Sequence, residues 1–264
     1  MLNIIKSIKY YLHRNILTWA YAIMVLTVYV ITVASALSGT SVDEYTGAYA
    51  FRLMVESNEL FIMIVAMLFV PLICANDFPD KVINYELLGG YKKKHSYYAR
   101  ALYSYVLVYA WFIISCFIPM IIGCLMNGYQ SADLQVNDLF ILLLLGFVMV
   151  FRFVSVVVFL SFLFENIVAS TVAAYFLEVL TLFPSKLLGE IFEGLKKTYI
   201  LSSVATYEKV MLPSDMVPSF VDGKDVYLPI YNFSENLGAV VGSLVFGAVL
   251  LTAGYLVFKS RDRK

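Results

Sequence analysis

The sequence predicts an all-α integral membrane protein. It should have six transmembrane helices, an N-terminal interfacial helix, a cytoplasmic helix between spans two and three, and short outer helices between spans five and six. Three observations carry this expectation. Hydrophobic residues make up 61% of the chain and charged residues only 14%, far from the balance of a soluble domain. Six apolar runs reach the roughly 17–25 residues that, at about 1.5 Å per helical residue, a membrane span needs. Lys and Arg are also shared unevenly between the connecting segments. Lipid offers the backbone no hydrogen bonds, so the spans must be helices and not an open sheet.

The spans are expected at residues 16–37, 59–75, within 98–126, 139–164, 167–183 and 237–258. Pro71 falls near the inner end of the second and Pro119 within the third, where neighbouring helices must satisfy the freed carbonyl. With both termini inside, twelve of the 19 basic residues lie in inner segments and six in outer ones, while Arg152 lies within the membrane. That bias is the positive-inside pattern. Trp19, Tyr21, Tyr97 and Tyr98 are placed to form an aromatic belt at the inner face. A formal net charge of zero thus conceals a polarised molecule and gives nucleic acid no purchase. The first apolar stretch is of full spanning length and lacks a small-residue cleavage site, which argues against a removable signal peptide. Cys74, Cys116 and Cys124 all fall within spans, without a CxxC, and are expected to pack the core.

Residues 1–264 form one transmembrane domain with three non-spanning parts. Within residues 1–15, Ile4, Ile5, Ile8, Tyr11 and Leu12 share one helical face and Lys6, Lys9 and His13 another, the pattern of a helix lying in the inner leaflet surface. A simple basic anchor before the first span fits equally well. The outer loop at 38–57 is acidic and carries no motif.

Residues 76–97 form the cytoplasmic segment. Asp77 can cap a helix of about ten residues whose first turn holds Pro79 and Asp80, and Gly89 and Gly90 supply its stop. Val82, Ile83, Leu87 and Leu88 recur at helical spacing, with Asp80, Lys81, Asn84 and Glu86 as the polar complement. With Lys81, Lys92, Lys93, Lys94 and Arg100 it gathers five basic side chains. Such a helix can lie in a groove of a partner protein, or rest on the lipid with its lysines at anionic headgroups.

This order of elements, with LLGGYKKKH closing the cytoplasmic helix, resembles the permease subunit of bacterial type-two ATP-binding cassette exporters. The resemblance covers the whole chain in architecture, and residues 77–100 in motif. It implies that the cytoplasmic helix is the coupling helix, docking a separate ATPase through Asp80, Val82, Ile83, Glu86, Leu87 and Leu88. It further implies a homodimer, or a heterodimer with a similar permease, in a bacterial cytoplasmic membrane, with membrane lipids as neighbours. ATP and magnesium would be held by the partner ATPase, with no cofactor on this chain.

The fourth and fifth spans are joined by a tight inner turn at residues 164–166. Arg152 lies thirteen residues before Glu165 and Glu178 thirteen after it, so both are about 20 Å from one turn and at one depth. A lone charge at mid-membrane costs at least about 2.5 kcal/mol, so the two are expected to pair, facing protein. The pair either pins the hairpin or lines a substrate path or dimer seam.

In the outer segment, residues 184–235, Ser185 can cap a helix with Leu187, Leu188, Ile191, Phe192 and Leu195 on one face. The resembled family implies that this face closes the exit at the outer leaflet. A further helix is expected over residues 199–212, before Pro213, Pro218 and Asp222-Gly223 break the chain into turns. In the sixth span Gly238, Gly242 and Gly247 form a small-residue stripe, suited to packing within the chain or against a second copy.

Absent motifs narrow the function. GEIFEGLKKT at 189–198 imitates a phosphate loop, but Leu195 stands where Lys is required. ATP hydrolysis is therefore assigned to a partner, and the chain is not expected to be an enzyme. Metalloprotease, CxxC and Gly-x-Ser-x-Gly motifs are missing, and the two histidines, His13 and His95, are both predicted to be cytoplasmic. A self-sufficient proton-coupled transporter or channel using Arg152 and Glu178, and a non-transporting immunity or sensor protein, remain the alternatives.

Overall fold

The computed structural model describes residues 2–38, 45–76, 82–130, 134–191, 202–211, 215–221, 224–230 and 233–261. Its elements are α1 (Leu2–Arg14), α2 (Ile16–Ser38), α3 (Gly47–Glu56), α4 (Glu59–Cys74), α5 (Val82–Leu88), α6 (Lys93–Asn127), α7 (Val136–Phe164), α8 (Ile167–Ile191), α9 (Ser203–Met211), β1 (Asp215–Val221), β2 (Lys224–Ile230) and α10 (Phe233–Ser260).

Four of these helices, α2, α6, α7 and α10, are long and apolar enough to cross a membrane by themselves. A fifth candidate is α3 with α4, two helices bent by 60° at their junction. In α8 the apolar stretch spans Ile167–Thr181, shorter than the others. The outer surface of α2 and α10 is apolar, with Ile23, Leu26, Ile31, Val241, Val245 and Val249 all exposed. Such a continuous apolar surface is stable against lipid and not against water.

The middle of the molecule is α7, which α10 covers most extensively and against which α4, α6, α8 and α9 also pack. Its buried side chains, among them Leu142, Leu145, Met149, Phe153, Val157 and Leu160, come from more than one stripe of the helix. A helix apolar all round is a core helix. α1 buries Ile4, Ile8 and Leu12, as its amphipathic spacing demands.

Four sequence expectations are corrected. The outer loop 38–57 contains a helix: α3 starts at Thr46, whose hydroxyl accepts from the Tyr49 N–H at 3.2 Å. It buries Ala48, Ala50, Phe51, Met54 and Val55. The backbones of α3 and α6 touch there, because a Cβ on Gly123 would stand 2.6 Å from the Thr46 carbonyl oxygen. The Asn58 side chain fixes the bend that follows, donating to Ser115 Oγ at 2.7 Å.

Second, Tyr97 is no belt residue. It is fully buried among Phe162, Tyr255 and Phe258, and its hydroxyl donates to the Leu251 carbonyl at 2.7 Å. Trp19 does stand exposed. Third, Ser185 caps no new helix, since α8 runs unbroken through Pro184 to Ile191; proline bars an N–H but not helical φ. Fourth, the outer segment is not all turn and helix, because β1 and β2 pair antiparallel from Asp215↔Ile230 to Val221↔Lys224. Asp222-Gly223 falls between them in sequence and favours a two-residue hairpin, and a two-stranded ribbon tolerates Pro218 and Pro229 because every strand is an edge.

At one end of the bundle α6, α7 and α10 are clasped together. Glu165 ends α7 in the left-handed region, φ 53°, and pairs with Arg261 at 2.7 Å. Arg261 also donates to the Leu163 carbonyl, while Lys93 Nζ donates to the carbonyls of Lys259 and Arg261 at 3.0 and 2.8 Å.

Candidate functional site

Two places gather polar chemistry that the fold does not otherwise need. The first surrounds Arg152 and Glu178. Both are buried, at 3% and 1% exposure. Between them stands Ser203, the first residue of α9. Its backbone N–H donates to Glu178 Oε2 at 2.9 Å, and its hydroxyl accepts from Arg152 Nε at 3.3 Å. Arg152 Nη1 also donates to Ser243 Oγ at 3.4 Å, and the guanidinium lies 4.8 Å from the centre of the Phe246 ring. The two charges act on each other electrostatically as well. Among the described residues none donates a hydrogen bond to Glu178 Oε1.

Four helices, α7, α8, α9 and α10, therefore converge on one buried node. The carboxylate sits at the positive end of α9, where an acid stabilises by about 0.3–1 kcal/mol at a surface and up to ~2 in partly buried geometry. Equal spacing from the turn at Glu165 pointed to Arg152 and Glu178 together, but the residue between them comes from the segment that follows α8. Sequence reasoning expected a helix over 199–212 but missed its burial. The available signal was the cluster Ser202, Ser203 and Thr206, all buried, since small hydroxyls supply donors and acceptors inside a bilayer at little volume.

α9 is held at its far side too. Tyr207, fully buried, donates to the Val55 carbonyl at the end of α3 at 2.7 Å. Val204, Val210 and Met211 are buried, and Asn236 Nδ2 donates to the Val210 carbonyl at 3.5 Å. The helix is thus enclosed by α3, α4, α7, α8 and α10.

Of the expected outer face, Leu187, Leu188 and Ile191 lie in the last turns of α8, and Phe192 and Leu195 lie outside the described residues. Of the glycine stripe, only Gly247 is packed inside the chain, where a Cβ would meet the Phe151 ring and Ser155 Oγ at 2.5 and 2.8 Å. Nothing lies within 4 Å of a Cβ built on Gly238 or Gly242.

The second place is α5. It has seven residues, and Asp77, Pro79, Asp80 and Lys81 lie outside the described residues. Its stop is built as the glycines require: Gly90 takes φ 87°, its N–H donates to the Leu87 carbonyl at 3.1 Å, and the Tyr91 N–H to the Glu86 carbonyl at 3.1 Å. Glu86 turns inward. Its carboxylate accepts both arms of the Arg100 guanidinium at 2.9 Å each, and the Ser96 hydroxyl at 2.8 Å. Arg100 is fully buried, so it is no part of a basic surface; it fastens α5 to the N-terminal end of α6. Ile83 is buried at 1%, Val82 and Leu87 are half-buried, and Leu88 is 83% exposed. Around Leu88 stand the exposed Gly89, Gly90, Lys92, Lys94 and His95.

Among the described residues no group of three or more His, Cys, Asp or Glu side chains is placed to hold a metal ion. No protein-family model matches the chain, and comparison with curated proteins yields no match.

Proposed function

We propose that the chain is the membrane-spanning permease subunit of a type-two ATP-binding cassette exporter, moving an amphiphilic substrate with ATP hydrolysed by a separate cytoplasmic subunit. The observation that supports this most is the mounting of α5. A short helix lies between two membrane helices, locked by the Glu86–Arg100 fork to the end of α6, and presents Leu88 outward beside Lys92 and Lys94. An element that must convert the motion of a soluble motor into movement of spans needs this combination: a rigid root and an exposed, partly apolar face.

In this reading α3–α4 is a broken second span, α8 the fifth, and both termini are cytoplasmic in a bacterial membrane. Two permeases, identical or similar, enclose the substrate between them. α9 would serve as the outer plug, in place of the α8 terminus. Its enclosure by α3, α7, α8 and α10 means that it shifts only when these helices separate. The apolar and aromatic character of the spans suits a peptide, a lipid-like molecule or a drug better than a small ion. ATP and magnesium belong to the partner.

The test is co-purification of tagged protein in mild detergent, wild type against Leu88→Asp. An ATPase subunit recovered in stoichiometric amount with wild type and lost from the variant supports the reading. Wild type recovered alone under several gentle conditions refutes it. The buried node favours one second reading, a proton-coupled transporter working through Arg152 and Glu178; it requires flux that follows a proton gradient without any ATPase.

A further inference from the structure

α1 has a second surface besides the face it buries. Asn3, Ser7, Tyr10 and Arg14 recur at four-, three- and four-residue intervals and so share one flank of the helix. This flank is turned toward the α5 region, for Asn3 Nδ2 donates to the Tyr91 hydroxyl at 3.4 Å. Beside it lies a cleft of about 310 Å³, with Ser7, Tyr10 and Arg14 on the α1 side and Leu72, Ile73 and Val82 contributed by α4 and α5.

The cleft is mostly apolar, since Ile8 and Leu12 of α1 line it as well, and its polar groups all lie on the α1 side. Leu72 and Ile73 belong to the last turn of α4 and, almost wholly buried, close an apolar floor beneath the cleft. The α1 wall carries a cation and a hydroxyl. Arg14 stacks over the Tyr10 ring, 4.7 Å to its centre, which orients the guanidinium plane and leaves its in-plane N–H groups for an anion. No acidic residue occurs in α1 to compete for it. Lys6, Lys9 and His13 lie on a different side of the helix and stay exposed.

We infer that this cleft is a binding site for an anionic glycerophospholipid of the adjacent leaflet. The headgroup phosphate meets Arg14 and the Ser7 hydroxyl, and the start of an acyl chain lies against Leu72, Ile73 and Val82. Inorganic phosphate would match the cation but not the apolar floor beside it, which suits the start of an acyl chain. The bound lipid would brace α1 against α5 from below. The site depends on the chain being membrane-embedded and not on the exporter reading, so the test includes no ATPase.

Purified protein in mild detergent is titrated with short-chain phosphatidylglycerol, short-chain phosphatidylcholine and inorganic phosphate, and bound adducts are counted by native mass spectrometry alongside thermal melting. Phosphatidylglycerol should bind at least about five-fold tighter than phosphatidylcholine, the increment of one basic contact to an anionic lipid. Arg14→Ala should remove that preference, Arg14→Lys should keep most of it, and Ser7→Trp, which fills the cleft, should abolish the adduct. Lys9→Ala should change nothing. These are all exposed positions, and melting curves verify that each variant is folded. The site is overturned if Arg14→Ala and Ser7→Trp bind phosphatidylglycerol like wild type. It is equally overturned if inorganic phosphate competes as well as the lipid, which marks a free-anion site, or if a co-purifying cytoplasmic protein, and not the lipid, is lost from Ser7→Trp.

Discussion

Glu86 and Arg100 stand fourteen residues apart on different helices and meet oxygen to nitrogen twice, at 2.9 Å in each arm, with the Arg side chain wholly buried. A bidentate fork fixes direction as well as distance, so α5 cannot swivel on α6 without breaking both bonds. Arg100→Ala leaves a largely buried carboxylate unpaired, and a loss of about 3–5 kcal/mol is expected. Arg100→Lys keeps the charge but not the fork, and should fall between Arg100→Ala and wild type. Thermal melting in detergent checks this; an Arg100→Ala variant that melts like wild type would show that the fork bears no load.

The contact of α3 on α6 depends on missing side chains. Gly123→Ala would place a methyl 2.6 Å from the Thr46 carbonyl oxygen, and Gly47→Ala would push one against Cys124 Sγ. Each is expected to cost about 1–3 kcal/mol through overpacking. Gly238→Ala and Gly242→Ala meet nothing within 4 Å and should be neutral or slightly stabilising for the single chain, since Ala is the better helix former by about 1 kcal/mol. Parallel melts of the four variants separate the two sites, and equal losses at all four would contradict the packing described.

Tyr97 and Gly254 should behave as a suppressor pair. A Cβ on Gly254 would stand 2.7 Å from the Tyr97 hydroxyl oxygen, so Gly254→Ala alone destabilises. Removing that oxygen with Tyr97→Phe costs about 0.5–1.5 kcal/mol for the bond to Leu251. The double variant is expected to be more stable than the sum of the single losses predicts. A double-mutant cycle measures this, and strict additivity would deny the contact.

At the buried node the two groups of Ser203 can be removed one at a time. Ser203→Ala deletes the hydroxyl that accepts from Arg152 and should cost about 1–3 kcal/mol, because a buried charged donor loses a partner. Ser203→Pro is tolerated by a first helical position but also deletes the N–H that Glu178 accepts, so its loss should be larger. Glu178→Gln in the Pro background should then cost less than in wild type. If the losses from Pro and Gln simply add, the N–H to carboxylate contact is not the link between α8 and α9.

What the sequence made legible was chiefly periodic or countable. Apolar run lengths located α2, α4, α6, α7 and α10, and the equal spacing about Glu165 put Arg152 and Glu178 at one depth. The glycine pair after Leu88 marked the end of α5 because positive φ has a residue signature. Contacts made across the fold left no such trace. Arg100 reads as one more basic residue of a loop until α6, which begins at Lys93, buries it under α5. α3 hid in a short polar loop because its apolar residues serve a helix of only ten residues, held by a glycine contact that no period announces. Tyr97 reads as a belt residue by position, and only the packing of Phe162, Tyr255 and Phe258 around it makes it core.

The node around Arg152 also dictates an order of events. Ser203 and Ser243 follow Arg152 by 51 and 91 residues. At a synthesis rate of about 5–20 residues per second, the guanidinium waits several seconds for either hydroxyl. During that interval Glu178 is the nearer partner in chain order, so the α7–α8 hairpin must hold its own charges until α9 follows. A ribosome stalled soon after Glu178 would thus leave in the membrane a hairpin whose polar seam is still open, a ready target for quality-control proteases.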